Sequence, residues 1–494
     1  MSTVLYAEDW PQAFGPNGDF TVNGKAVDSF SVSMDENILW RTPMPSTGQG
    51  TPIISNGRIF VTSHERMEED SEMGSDIVGI CLDAKTGNKL WERKIPGTRT
   101  TDLSSLFSDN TAASPVSDGE RVVFMSVGGT IASFDFEGKE LWTHKWTPFG
   151  RHHARAHEPI LHYGMVIVAH TPKYDLPIEA TTKAGSKALG RGKEYWNFLR
   201  AYDLKTGKLL WQAEAGTSVH STSMLGQLAK GKLAILTGRG GGHQPPEEPY
   251  GLSMIDLTSG KSIWDQSIKG YPAAQNTSWN KNGVYFFAGS MHQSLSSRTG
   301  KKKKESSIFE KVSITKWNGK DYEIKHNQTL KKSKKPITYF TNILIGEYHY
   351  FRSFEGFMIG RVNLKNGKVE YLEVPAQIIR ENGKKEELLW GKTVPNDMKN
   401  ADGFKATMDK RNAGSGWGHV SSAPPIVVGE LIYFPTMAGM VYVLKWNAEI
   451  LDEESLVSIS DLGRVGETWS LSGLAYVEGK IFARTLKEMI CIGR

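Results

Sequence analysis

The sequence predicts an all-β protein: an eight-bladed β-propeller of four-stranded antiparallel blades, closed by an N-terminal strand that completes the last blade. Three observations carry this expectation. A ten-residue phrase ending in tryptophan occurs at 82–91, 202–211 and 255–264, with a shortened copy at 134–142 and a weaker one at 362–371. Further hairpin signals recur along the chain outside the copies, at Asn56-Gly57, Asp118-Gly119, Tyr163-Gly164 and Val428-Gly429. Trp40 stands 51 residues before Trp91, which stands 51 before Trp142, so the first segment keeps the phase of the repeat.

Each element follows from local chemistry. Residues 1–37 form a lead-in, and 38–494 the propeller. In the phrase, a β run ends at Asp83, Asp203 or Asp256, whose carboxylate can bond the turn backbone. Gly87, Gly207 and Gly260 supply the positive φ of the turn. A second β run then brings the aromatic residue. With the preceding hairpin, each repeat holds four strands, the content of one propeller blade. First strands are expected near 51, 111, 158, 221, 277, 338, 421 and 470. The last repeat, 469–494, has only three strands, and Ile38 to Arg41 supply its fourth. Trp91, Trp142, Trp211 and Trp264 are expected between neighbouring blades.

Composition agrees. With 39% hydrophobic and 23% charged residues, the chain is globular in character. No apolar run approaches the ~18 residues of a membrane helix. The 51 glycines, 14 Trp, 16 Tyr and 20 Phe suit short strands and tight turns. Two cysteines exclude a disulfide framework and a cysteine-rich zinc site. The net charge of +5 suits an acidic partner better than a basic one. Met1 to Asp9 lack the basic and apolar regions of a signal peptide, so none is expected in this chain.

At the phrase Asp-x-x-Thr-Gly-x-x-Leu-Trp, the chain resembles the pyrroloquinoline-quinone-like (PQQ-like) propeller repeat family. Asp9-Trp10-Pro11-Gln12 and Gly15-Pro16-Asn17-Gly18 resemble the lead-in of many secreted members. The resemblance implies a periplasmic or secreted protein. It also implies a choice among quinone-dependent dehydrogenases, outer-membrane assembly lipoproteins and other extracytoplasmic propellers. The dehydrogenases use a vicinal cysteine pair and a calcium site. Here Cys81 and Cys491 are far apart in sequence and flanked by aliphatics, so bound PQQ is not expected. A lipobox cysteine is also missing near the N-terminus.

Residues leading into the first strands should surround a central funnel. They are Gln49, Asn110, His157, His220, Asn276 and His419, with Trp417 and Trp469 nearby. Inner-strand ends also need hydrogen-bonding side chains for purely structural reasons. Eight of the 13 histidines fall between 144 and 243, together with Arg155, Tyr174, Tyr195, Arg239 and the Gly240–His243 loop. Histidine suits proton transfer. The leading expectation is therefore β-elimination of an acidic polysaccharide at the funnel. His153 or His157 would be the base, Arg155 or Arg239 the carboxylate neutraliser, and Tyr174 or Tyr195 the acid. Gln49, Asn110, His220, His243, Asn276 and His419 would contact substrate, with Trp417 or Trp469 as a stacking face. The alternative is a non-catalytic propeller binding a glycan or a protein partner. A divalent metal on His153, His157 and His220 or His419 has no supporting spacing. Lys301 to Lys304, with Lys331, Lys332, Lys334 and Lys335, read as a solvated loop more than an anion patch. Gly238 to Gly242 lack the context of a phosphate loop, and no nucleic-acid motif is present.

Overall fold

The computed structural model describes residues 9–65, 76–99, 111–149, 157–189, 192–218, 220–240, 250–272, 275–332, 337–396, 398–400, 403, 417 and 422–494. Eight antiparallel blades follow one another around a ring. Their inner strands are Ile53–Ser55, Val116–Ser117, Ile160–His162, Met224–Gln227, Ser278–Asn280, Ile337–Ile345, Ile426–Val428 and Ala475–Val477. These begin within a few residues of the expected positions. Blade 8 is completed by Ile38–Pro43, which pairs antiparallel with Glu488–Ile492. Trp40 stands opposite Cys491, and Arg41 forms an ion pair with Glu488 at 2.6 Å. The ring is thus closed by backbone hydrogen bonds between its two ends, which leaves the last blade without a three-stranded edge.

The tryptophans show why the phrase recurs. Each lies against the turn glycine of the next blade: Trp40 on Gly87, Trp91 on Gly138, Trp142 on Gly207, Trp211 on Gly260 and Trp264 on Gly300. A Cβ at Gly207 would come 2.7 Å from Trp142, and its φ is +70°, so only glycine fits. Three of the indoles also donate to the following turn, Trp91 Nε1 to Phe136 O at 2.8 Å, Trp142 to Leu204 O at 2.9 Å and Trp264 to Ser297 O at 2.8 Å. Each tryptophan therefore seals one junction by apolar burial, and Trp91, Trp142 and Trp264 also fix its register by one polar contact.

The lead-in is built into the ring. Trp10 exchanges backbone hydrogen bonds with Ile54 of blade 1, and Pro11 O accepts from Ser117 N of blade 2. Gln12 Oε1 accepts from Leu161 N of blade 3. Phe20 O then accepts from Val427 N, and Thr21–Val22 run parallel to blade 7. Tyr476 of blade 8 donates to Lys25 O. Blades 3 and 7 are opposite in an eight-membered ring, so residues 12 to 20 cross its axis. Trp10, Phe14 and Phe20 are buried along this path. The segment plugs the end of the channel at which the inner strands finish.

Two additions interrupt the repeat. Blade 6 carries an extra outer hairpin, Glu310–Trp317 and Tyr322–Thr329, whose first strand lies parallel to Val369–Glu373. The lysines expected in a solvated loop are placed differently. Lys302 to Lys304 belong to the outer strand of blade 5, Lys302–Ser307, and Lys331 and Lys332 follow the extra hairpin. A polar, lysine-rich run reads as a loop by composition, yet pairing with Met291–Leu295 makes it a strand. Lys334 and Lys335 lie outside the described residues.

Candidate functional site

The opposite end of the channel, where the inner strands begin, gathers six of the nine nominated residues that are described. Asn110, His153, Arg155, His243 and His419 lie outside the described residues. Of the others, Gln49, His157, His220, Asn276, Trp417 and Trp469 are all buried, none more than 6% exposed. They do not form an open, solvent-lined mouth.

Hydrogen bonds between blades account for much of this polar ring. Gln49 N donates to Thr111 Oγ1 at 3.0 Å, joining blades 1 and 2. Ser114 N donates to Glu158 Oε2 at 2.8 Å, joining blades 2 and 3. Asn276 Nδ2 donates to Phe340 O at 2.7 Å, joining blades 5 and 6. Ser472 Oγ donates to Gly50 O at 2.9 Å, joining blades 8 and 1. Blades have no lateral backbone ladder between them, so side chains supply the links that a continuous sheet would provide.

The chemistry of the nominated groups follows from burial. His157 is 1% exposed, and desolvation pushes its pKa down to about 3. Its ring is neutral at physiological pH and a weak proton acceptor. Arg239 ends the second strand of blade 4 and donates to Gln266 O at 3.2 Å. Tyr174 and Tyr195 both belong to the excursion between Met165–His170 and Phe198–Asp203. Tyr174 is exposed, whereas Tyr195 stacks on Phe149 with ring centroids 5.0 Å apart. Trp469 packs with Met398, Met437, Leu471 and Leu486.

Two arginines were missed by sequence reasoning. Arg352 and Arg484 occupy equivalent second-strand positions in blades 6 and 8, two residues beyond Tyr350 and Phe482, which pair with Ile343 and Ala475. Both are fully buried. Arg352 Nη1 donates to Pro435 O at 3.0 Å, and Arg484 Nη1 donates to Thr62 O, in each case the equivalent position one blade on. Burial lowers the pKa of Arg352 to about 9, which still leaves it charged at neutral pH. Its guanidinium lies 5.1 Å from the ring centroid of Trp417. The detectable signal was a charge in an otherwise apolar or small-residue register, where Thr62, Met125 and Ala169 stand in blades 1 to 3.

The connection from blade 6 to blade 7 reaches across this end. Asn396 Nδ2 donates to Thr468 O at 2.6 Å, and Asn400 Nδ2 to Thr47 Oγ1 at 2.7 Å, touching the approaches to blades 8 and 1. Trp417, on the same connection, packs against Phe357 and Tyr442. Asn396, Asn400 and Trp417 thus lie against the upper end among the described residues of this connection.

Cys81 and Cys491 sit in the third strands of blades 1 and 8, buried against Trp91 and Trp40. Burial pushes both thiols up to about 12. Among the described residues, no three His, Cys, Asp or Glu converge to hold a metal ion.

Known proteins share the architecture at low identity. A quinohemoprotein alcohol dehydrogenase from Pseudomonas putida HK5 is 10% identical, with a TM-score of 0.53, covering 98% of this chain and 80% of that one. The quinohemoprotein alcohol dehydrogenase from Comamonas testosteroni is 11% identical, with a TM-score of 0.52 and the same coverage, 98% and 80%. Saccharomyces cerevisiae Sqt1 is 9% identical, with a TM-score of 0.50, covering 92% and 98%. These likenesses concern the fold, which hosts unrelated activities. No curated protein sequence matches the chain. The model of the PQQ-like repeat described as "Outer membrane protein assembly factor BamB" matches residues 35–282, just over half of the chain, and the chain belongs to that family.

Proposed function

We propose that this protein is a non-catalytic binding or assembly propeller, whose partners engage the outside of a rigid ring. The observation that supports this reading is the state of the upper end: its described residues are buried and largely committed to joining blades. A polymer chain needs an open path to a catalytic group, and a base needs a pKa nearer the working pH than the value of about 3 at His157. The family description adds a protein partner and a place outside the cytoplasm to the proposal.

The test is incubation with a panel of uronate polysaccharides, following the ultraviolet absorbance of an unsaturated product. No product is expected, from the parent or from the His153→Ala and His157→Ala variants. Sustained product from the parent, lost in those variants with the fold intact, would establish the lyase instead. Fractionation of cells carrying the native gene checks the location, and a purely cytosolic signal would refute it.

A further inference from the structure

Five consecutive blade junctions, from 8–1 to 4–5, are sealed by a tryptophan on a turn glycine. The junction between blades 5 and 6 departs from this. Lys304 pairs with Ser294 in the register where Trp211 pairs with Ala201 and Trp264 with Met254. Its ammonium donates to Lys365 O at 3.0 Å, taking over the polar half of the tryptophan's role. The nearest group to Gly367 is the Ser306 hydroxyl, not an indole. The tryptophan seal on the turn glycine is replaced here, while Phe287 packs on Phe351 deeper in the junction, and Lys302, Lys304, Lys365 and Lys368 are exposed.

The extra hairpin of blade 6 continues the same seam. Ser313 stands opposite Glu370, which brings exposed Lys311 alongside the turn that carries Lys368. Lys325 stands opposite Ile314 and is also exposed. Residues 301–332 contain ten lysines, four acidic residues and no arginine, a net +6 against +5 for the whole chain. Ion pairs to Glu305, Glu323 and Glu347 are solvent-exposed and leave this excess standing.

We propose that the seam between blades 5 and 6 is a docking surface for an acidic polysaccharide. Its cations are lysines only, flexible point charges without the planar fork that reads phosphate or carboxylate bidentately. Lysine is depleted from the cores of protein interfaces. Stable membrane attachment needs apolar insertion besides charge, and Ile324 alone in 301–332 is a large exposed apolar side chain. Single-stranded nucleic acid is held by stacking on aromatic platforms, whereas Trp317 and Tyr322 of the extra hairpin are packed against each other and Trp390. A flexible polyanion with regularly repeated carboxylates fits a lysine seam along strands. This inference stands whatever the channel does.

Titration of the full chain with polygalacturonate, in about 50 and 200 mM salt, tests it. Binding should be steeply salt-dependent, and dextran should not bind. The variant Lys302→Gln/Lys304→Gln/Lys311→Gln/Lys325→Gln should bind at least tenfold more weakly. The matched variant Lys85→Gln/Lys139→Gln/Lys205→Gln/Lys261→Gln, at exposed turn lysines of other blades, should change binding less than twofold. If the first variant misfolds, Lys311→Glu/Lys325→Glu on the extra hairpin should still weaken binding at least fivefold. The proposal is overturned if both quadruple variants lose affinity alike, or if no binding is seen at low salt. Equal or tighter binding of duplex DNA, or of phosphatidylglycerol vesicles, also overturns it.

Discussion

Consider acidification from pH 7 to pH 5. His157, His170 and His292 are buried, and desolvation holds the pKa of each down at about 3. The unfolded chain binds a proton at each near pH 6.5, while the folded chain stays neutral. Below 6.5 the unfolded state therefore binds more protons, and stability falls as pH falls toward 3. At pH 5 the deficit is about 2 kcal/mol per histidine, or roughly 6 kcal/mol for the three. That is comparable to the whole stability of an ordinary domain. Desolvation is the cause of the neutral form, and the hydrogen bonds are compatible with it. Asn342 Oδ1 accepts from Ser278 Oγ at 2.6 Å and from His349 Nε2 at 2.9 Å. His349 Nδ1 is then bare and accepts from His292 Nε2 at 3.0 Å. His170 donates from Nδ1 to Thr171 O and accepts at Nε2 from the Tyr202 hydroxyl. The assay is urea unfolding followed by tryptophan fluorescence at pH 7, 6 and 5. Between pH 6 and 5 the slope should be at least about 4 kcal/mol per pH unit, since burial also holds His349 well below its ordinary value, and His292→Gln should lower it by about 1.2. A loss below about 1 kcal/mol from pH 7 to 5, or imidazole resonances titrating near 6.5, would refute the reasoning.

Other consequences follow from the blade junctions and thiols. Trp142→Ala should cost about 3–5 kcal/mol, measured as a shift in the urea midpoint, because it opens a junction on Gly207. Gly207→Val, which brings side-chain atoms toward the same indole and strains a positive φ, should destabilise by at least about 2 kcal/mol. Cys81 and Cys491, buried and poorly ionised, should react with a thiol reagent only in denaturant. Rapid labelling of the native protein would contradict their placement in the blade cores.

Local chemistry repeated in phase made the blades legible. Asp83, Gly87 and Trp91 form a turn and its docking aromatic within ten residues, so their pattern survives in one dimension. Trp40 revealed the closure of the ring for the same reason, since a strand in the wrong phase would not meet Cys491. What only the tertiary structure decided involves residues distant in sequence. Gln12 reaching Leu161, Asn400 reaching Thr47 and Arg484 reaching Thr62 are set by how the ring curves, which no local spacing encodes. Histidine clustering pointed to His157, but burial fixed its charge state, and burial is a property of everything packed around it. The lysines show the same limit: composition marked them as polar and solvated, while pairing to a neighbouring strand made them an ordered surface.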